Sequence, residues 1–396
     1  MKKNTVKSMY LDHAATTPTD PRVFSIMKPY LTTQYENPSA LYRGALKTRK
    51  AIEDARKIVA DFLGTQSDTI YFTSGGTESV NVAVLGTVRK FASQQVGKHI
   101  ITTQIEHHAV LEPIRQLEKE GYTVTYVPVD ENGLVTVEKI EKALRENTVL
   151  VSIMYANNEI GSIQPIADIG RMLMRKKSKA LFHTDACQAT QFLPMKVDAL
   201  HVDLLSFNGS KIYGPKGAGV LYKRRGVEIE PIMYGGGQER GLRSGTEDVA
   251  SIVGLGKAVE LIAEGTKNNG QQTSELRDYF WKEVQKKIDG VELNGPDLDK
   301  HRLANNLNVA FEGCDAEALI LYLDAAGVQC SAGSACTTDS LEPSHVLKAC
   351  GYSEERARSS VRFTLGRRTT KAQLDYVVKV LVEVVEKVRN MSELSS

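Results

Sequence analysis

The sequence lacks an excess of either charge. Its 396 residues carry 50 Lys and Arg against 48 Asp and Glu, a formal net charge of +2. No field draws the chain onto nucleic acid or an anionic membrane, and neither is expected as a direct partner. It also lacks any apolar run near the roughly 18 residues of a membrane-spanning helix, and the lysine pair that opens MKKNTVKSMY is followed by no apolar segment. A cytoplasmic protein is the expectation. Paired cysteines are missing as well. Cys187, Cys314, Cys330, Cys336 and Cys350 are an odd set at irregular intervals without a CxxC, which speaks against a disulfide framework and a zinc site. Any special cysteine is then to be sought as a reactive thiol. Internal repeats and low-complexity tracts are absent, and 41% hydrophobic with 25% charged residues excludes disorder as an overall description.

What is present is alternation. Between Thr69 and Lys223, short β-branched or aromatic runs (TIYFTSGG, HIITT, YTVTYVPV, TVLVSIMY, ALFHTDA, VDLLSF, GVLY) alternate with amphipathic segments such as ESVNVAVLGTVRKFA and HAVLEPIRQLEKEG. This is an α/β pattern with a mostly parallel sheet, and a sheet covered on both faces explains why TVLVSIMY is apolar almost throughout. The helical SIVGLGKAVELIAEG followed by polar TKNNGQQ marks an expected hinge near residue 265. Beyond it a smaller α+β unit is expected: a helix around SELRDYFWKEVQKKI, strands near VELNG, NNLNVAFEG and SVRFTL, a helix in DAEALILYLDAAG, and a closing helix from Ala372 to about Met391.

Three segments carry candidate chemistry. FTSGGTES runs from a strand through two glycines into a helix, so Gly75, Gly76 and Thr77 form either an anion cradle or an ordinary turn with Thr77 as cap. HTDACQ sets Asp185 at the C-terminal end of a strand, where it either holds a protonated ring nitrogen or caps the next helix. Lys211 follows an apolar strand in FNGSKIYGPKGAG, a place for a Schiff base or for a merely solvated ammonium. Cradle, strand-end Asp and later Lys, in that order, are the three anchors a pyridoxal phosphate (PLP) enzyme needs. In SAGSACTTDSLEPSH, Cys336 lies among small and polar residues, unlike Cys314 and Cys350 beside apolar helical patterns, and exposure favours thiol reactivity.

Taken together, LDHAATTP, FTSGGTESVN, EHHAVL, NNEIGSIQP, HTDACQ, SKIYGPKGAG, GGGQERGLRSGT, SAGSACTTDSLEPSHVL and SSVRFTLGR resemble, in order from residue 11 to about 370, the NifS/IscS-like cysteine desulfurases of the class V aminotransferase family. The resemblance implies the PLP-dependent transferase fold, similar to aspartate aminotransferase: a large domain over 17–264, and a small domain of 1–16 with 265–396 that carries the cysteine loop. It implies that Lys211 bonds PLP covalently, that Asp185 pairs with the ring nitrogen, and that His107 stacks on the ring and shuttles protons. Gln188 and Asn158 would meet the ring oxygen, with Asn158 also touching substrate. Gly76, Thr77, Asn208 and Ser210 would hold the phosphate, and Thr246 would reach in from the second subunit of a homodimer. Arg362 would clamp the carboxylate of L-cysteine, and the Cys336 thiolate would take the sulfur as a persulfide, leaving L-alanine.

The same resemblance implies transfer to an acceptor protein, such as an iron–sulfur scaffold, or to tRNA or cofactor thiolation. No resident metal is expected, Cys336 being at most a transient iron–sulfur ligand. The chain departs from the family pattern in three places. Asn208-Gly209-Ser210 stands where many relatives have Ser-Ala-His, Tyr42 where a His is usual, and NMSELSS ends the chain without the longer tail that some relatives use to dock a scaffold. Rival readings are a selenocysteine lyase, another class V PLP enzyme such as an aminotransferase or a kynureninase-like hydrolase, and a catalytically silent scaffold of the same fold. The thiol loop argues against the aminotransferase and hydrolase, and the intact Lys211, Asp185, Cys336 and Arg362 against the scaffold.

Overall fold

Apolar β-branched runs bounded by turns become strands in the computed structural model, which describes residues 8–94, 97–298, 300–333 and 343–393. In chain order the strands are β1 (Met9–Tyr10), β2 (Ile70–Thr73), β3 (His99–Thr103), β4 (Thr123–Val127), β5 (Thr148–Ser152), β6 (Leu181–Asp185), β7 (Leu204–Asn208), β8 (Gly219–Lys223), β9 (Val291–Leu293), β10 (Asn306–Phe311), β11 (Val328–Gln329) and β12 (Ser360–Thr364). Seven of them form one sheet in the order β2-β8-β7-β6-β5-β3-β4. Strand β8 alone runs against its neighbours β2 and β7; the other pairings are parallel. The central β5 is buried at every residue, as its unalternating sequence requires of a strand covered on both faces.

The smaller unit is built on the antiparallel order β12-β10-β9. Its own apolar core joins Phe280, Trp281 and Val284 to Leu307, Val309, Phe311, Val361, Phe363 and the closing helix Lys371–Glu393. The N-terminal segment crosses to this unit, with β1 parallel to β11 and Asp12 bridged to Thr364.

One expectation fails. The polar run near residue 265 is no interruption of the backbone, because a single helix spans Val249–Lys287. Leu255, Val259 and Ile262 anchor its first half in the core under the large sheet, and Phe280 and Val284 anchor its second half in the small one. Between two such anchors a polar stretch with one glycine costs only about 1 kcal/mol in helix propensity. Polar sequence there does not end the helix.

Candidate active site

All seven strands except β8 point one way, so the turns that follow β2, β3, β5, β6 and β7 gather at one edge, where open α/β sheets bind ligands. They enclose a cavity of about 200 Å³. At one end the helix Gly76–Ser93 begins straight after β2, and the first N–H groups of a helix have no partner within it. A Cβ on Gly76 would sit 2.8 Å from Cys187 Sγ and 3.0 Å from Asn208 Nδ2, so a side chain would fill the cradle that glycine leaves open. Thr77 and Asn208 line the same end. Glu78, the acid of this first turn, is drawn aside by Arg243 at 2.9 Å.

Asp185 ends β6 at the cavity floor, its Oδ1 accepting the Cys187 N–H at 2.9 Å. The buried groups around it are uncharged. His183, two residues earlier, bridges Ser152 Oγ (2.9 Å) and Ser206 Oγ (3.0 Å), and burial lowers its pKa to about 4. Glu106 accepts from Thr103 Oγ1 at 2.6 Å and from the Met154 N–H at 3.0 Å. Burial nonetheless raises its carboxyl to about 8, and the charge of Asp185 adds to the shift. Burial, and then Asp185, also push the Cys187 thiol well up, so it stays protonated. Asp185 thus lies at the cavity among groups that burial favours in their neutral forms.

His107 caps the helix His108–Lys119, its Nδ1 accepting the Ala109 N–H at 3.0 Å, which assigns the proton of the neutral ring to Nε2. Burial depresses its pKa, against the pull of Asp185. The shuttle expected from an ordinary imidazole would thus start from a neutral one. Lys211 follows the turn after β7 and donates from Nζ to the Ala15 carbonyl, while Gln188 Nε2 donates to the Ala14 carbonyl at 3.0 Å. Across the cavity the small unit supplies Arg362 from β12. Its guanidinium donates to Asp12 Oδ1 at 2.7 Å and to the Asn158 carbonyl at 2.9 Å, while Nε is buried without a partner among the described residues.

The cavity thus brings together Gly76, Thr77, His107, Asn158, Asp185, Gln188, Asn208, Lys211 and Arg362. Two expected residues are not among those lining it. Ser210 uses its carbonyl to hold Thr17 and sets its hydroxyl 3.4 Å from Asn208 Oδ1. Thr246 is exposed, on the loop whose Arg243 reaches Glu78. Cys336 lies outside the described residues. Of the other cysteines, burial raises Cys350 to about 12 and lifts Cys330 and Cys314 as well, so none of these thiols is poised to ionise at neutral pH. Sequence reasoning assigned no role to Asp12, Glu106 or Glu159, although each lies inside a quoted motif.

The aminotransferase class-V family matches residues 9–377. The cysteine desulfurase IscS of Dictyoglomus turgidum is 49% identical, covering 98% of this chain and 96% of its own, and that of Methanosarcina thermophila is 48% identical, covering 98% and 95%. This chain is a class V aminotransferase-family protein of the NifS/IscS-like cysteine desulfurase group. Among solved structures, a NifS-like protein superposes with a TM-score of 0.90 at 36% identity, covering 96% of this chain and 100% of its own. A second, SspA in complex with cysteine, gives 0.80 at 38%, covering 91% and 99%. Class V enzymes are PLP enzymes, and the residues present fit that group: a glycine cradle, a strand-end carboxylate and a lysine face one cavity. No described helix is long and apolar enough to cross a membrane.

Proposed function

We propose that this desulfurase binds PLP in the cavity, converts L-cysteine to L-alanine, and carries the sulfur away as a persulfide on Cys336. The observation that carries the reading is the convergence of Lys211, Asp185, His107 and Arg362 on one cavity. Lys211 holds the cofactor covalently, Asp185 meets its ring nitrogen, and His107 stacks on the ring. Gln188 and Asn158 meet the ring oxygen. Gly76, Thr77, Asn208 and Ser210 hold the phosphate, with Thr246 of a second copy. When bound, the cofactor supplies an electron sink that loosens the bond between the β-carbon and sulfur of cysteine. Arg362 takes the substrate carboxylate, where a planar fork outperforms an ammonium, and its Nε has no partner among the described residues. His107 Nε2 is the atom from which a proton can be lent and recovered. The Cys336 thiolate attacks the substrate sulfur; the carbon–sulfur bond breaks with its electron pair left on the β-carbon, which takes a proton, while a sulfur–sulfur bond forms on Cys336.

The working unit proposed is a cytoplasmic homodimer that hands sulfur to an acceptor such as an iron–sulfur scaffold. Large apolar side chains exposed between Phe24 and Leu46, including Leu31, Tyr35, Leu41 and Tyr42, support a covered face. A second core that joins Leu11 to residues from Phe280 onward supports a domain division of 17–264 against 1–16 with 265–396, with Leu303, Val346, Leu347, Cys350 and Ala357 of the later segment packing into the large core. The test is incubation of the PLP-loaded protein with L-cysteine and a thiol reductant. Equimolar alanine and sulfide are expected; release of a keto acid, or no alanine, would overturn the reading.

A further inference from the structure

Glu159 is a buried carboxylate, 1% exposed, on the turn Asn157-Asn158-Glu159 that leaves the large sheet after β5. Asn157 Oδ1 shapes the turn by accepting the N–H groups of Glu159 (2.8 Å) and Ile160 (3.0 Å). The Glu159 carbonyl accepts from the side-chain amides of Asn306 (3.0 Å) and Asn308 (3.1 Å) on β10, so the turn is bolted to both units.

The side chain meets two residues far apart in sequence from it. Ser344 Oγ donates to Glu159 Oε2 at 2.5 Å and itself accepts the Leu347 N–H at 3.2 Å, which commits the hydroxyl proton to the carboxylate. A Cβ on Gly333 would stand 2.8 Å from that same Oε2 and 3.6 Å from Ser344 Cβ, and Gly333 has φ +74°, so glycine is required on both counts. Ser344 thus hydrogen-bonds the oxygen against which Gly333 packs. Outside them the stems are tied to the active site: Ser331 exchanges backbone hydrogen bonds with Arg362 (2.6 and 3.2 Å) and donates to Asp12 at 2.9 Å, while His345 Nε2 meets the carbonyl of Glu106 at 2.9 Å, beside His107.

Cys336 is three residues beyond Gly333, so no more than about 10 Å of chain can separate it from this pin. We propose that Glu159 is a positioning residue for sulfur capture, holding the Ser344 stem of the cysteine segment by a hydrogen bond where the Gly333 stem packs close, and so setting the reach of Cys336 relative to Arg362 and His107. The inference rests on the function proposed above. Glu159 does its work through Ser344 and Gly333 and touches neither substrate nor cofactor.

The test is a single-turnover measurement of persulfide on Cys336 by mass spectrometry in PLP-loaded Glu159→Ala, Glu159→Gln, Ser344→Ala and the double alanine variant. The cofactor's absorption change on adding L-cysteine is followed in parallel. In Glu159→Ala the absorption change and the KM for L-cysteine should stay close to wild type while persulfide formation slows about 10- to 100-fold, as befits one lost hydrogen bond to a charged group. Glu159→Gln, which still offers Ser344 an acceptor oxygen, should recover most of the rate. Ser344→Ala should slow the same step, and the double variant should be no slower than Glu159→Ala, because the two residues act as one contact. Ser344→Ala keeps the carboxylate and carries the same expectation if Glu159→Ala fails to fold. A persulfide rate within about twofold of wild type would overturn the proposal, as would equal loss of the absorption response and of persulfide, or a Gln variant no better than Ala. A wild-type enzyme that answers L-cysteine spectrally but forms no persulfide would overturn the function first, and is seen before any variant is made.

Discussion

Arg56 and Arg362 are both buried against carboxylates, one in each unit of the fold. Arg56 gives each terminal nitrogen to Glu239 at 2.8 Å, one of them also to the Ile70 carbonyl at 2.8 Å, and its Nε to Glu53; Glu239 takes the Phe72 N–H as well. That pair is closed, and it clamps a segment in which Glu239 and Arg240 have φ of 45° and 56°, a region costly for residues other than glycine. Arg362, which lines the cavity, gives one nitrogen to Asp12 and one to a carbonyl, and its buried Nε has no partner among the described residues. Burial of charge is common to both. On the function proposed above, that Nε donor and a counter-ion that a ligand can replace set Arg362 apart from a purely structural arginine, since a buried donor without a partner costs about 1–3 kcal/mol that a bidentate carboxylate would remove.

The largest effect should come from the residue facing Arg362 across the cavity. Lys211→Ala should lose the absorbance of covalently held PLP and all turnover, because the pocket's covalent anchor is gone. A variant that keeps that band would show the wrong lysine has been chosen. Next, Arg56→Ala strands the buried Glu239 carboxylate and should cost about 3–5 kcal/mol of stability in urea unfolding, without raising the KM for L-cysteine in the fraction that folds. Arg362→Lys keeps the charge but loses the fork; KM for L-cysteine should rise about 10- to 100-fold while the unfolding midpoint moves little. If Arg362→Lys destabilised the fold as Arg56→Ala does and left KM alone, the distinction between the two pairs would collapse.

A further effect is a slope. Glu106 has its carboxyl raised from 4.5 to about 8 by burial. Between those pH values the unfolded chain has released this proton and the folded one has not, so this group makes stability fall as pH rises, and the fall ends above about pH 8. Glu106→Gln should flatten that decline in urea midpoints taken across pH 5 to 8. An unchanged slope would mean that Glu106 is ionised in the fold.

The large sheet and the order of its ligand-bearing turns were legible because a strand buried on both faces writes itself as an apolar run, and because glycine, Asp and Lys at strand ends are few. Asp185 and Lys211 were legible on those grounds, and Arg362, Gln188 and Asn158 only through family resemblance. The continuous helix through residue 265 was not, because a helix and a loop can share one polar composition. Nor were Asp12, Glu106 and Glu159: their roles arise from partners more than forty residues distant in sequence, among them Arg362, Met154 and Ser344. The depressed pKa of His107 depends likewise on burial that only the tertiary fold creates.

The central claim is that sulfur leaves cysteine onto Cys336, and the most direct test is to map the persulfide by mass spectrometry after one turnover of L-cysteine in wild type, Cys336→Ser and Cys330→Ser. Cys330 is the nearest rival in sequence, and burial raises its thiol well above the ordinary range, which disfavours the thiolate. The account predicts label on Cys336 in wild type and in Cys330→Ser, and neither persulfide nor catalytic alanine in Cys336→Ser, although that variant still binds PLP and answers L-cysteine spectrally. Label on Cys330, or sulfide released by Cys336→Ser at the wild-type rate, would contradict it.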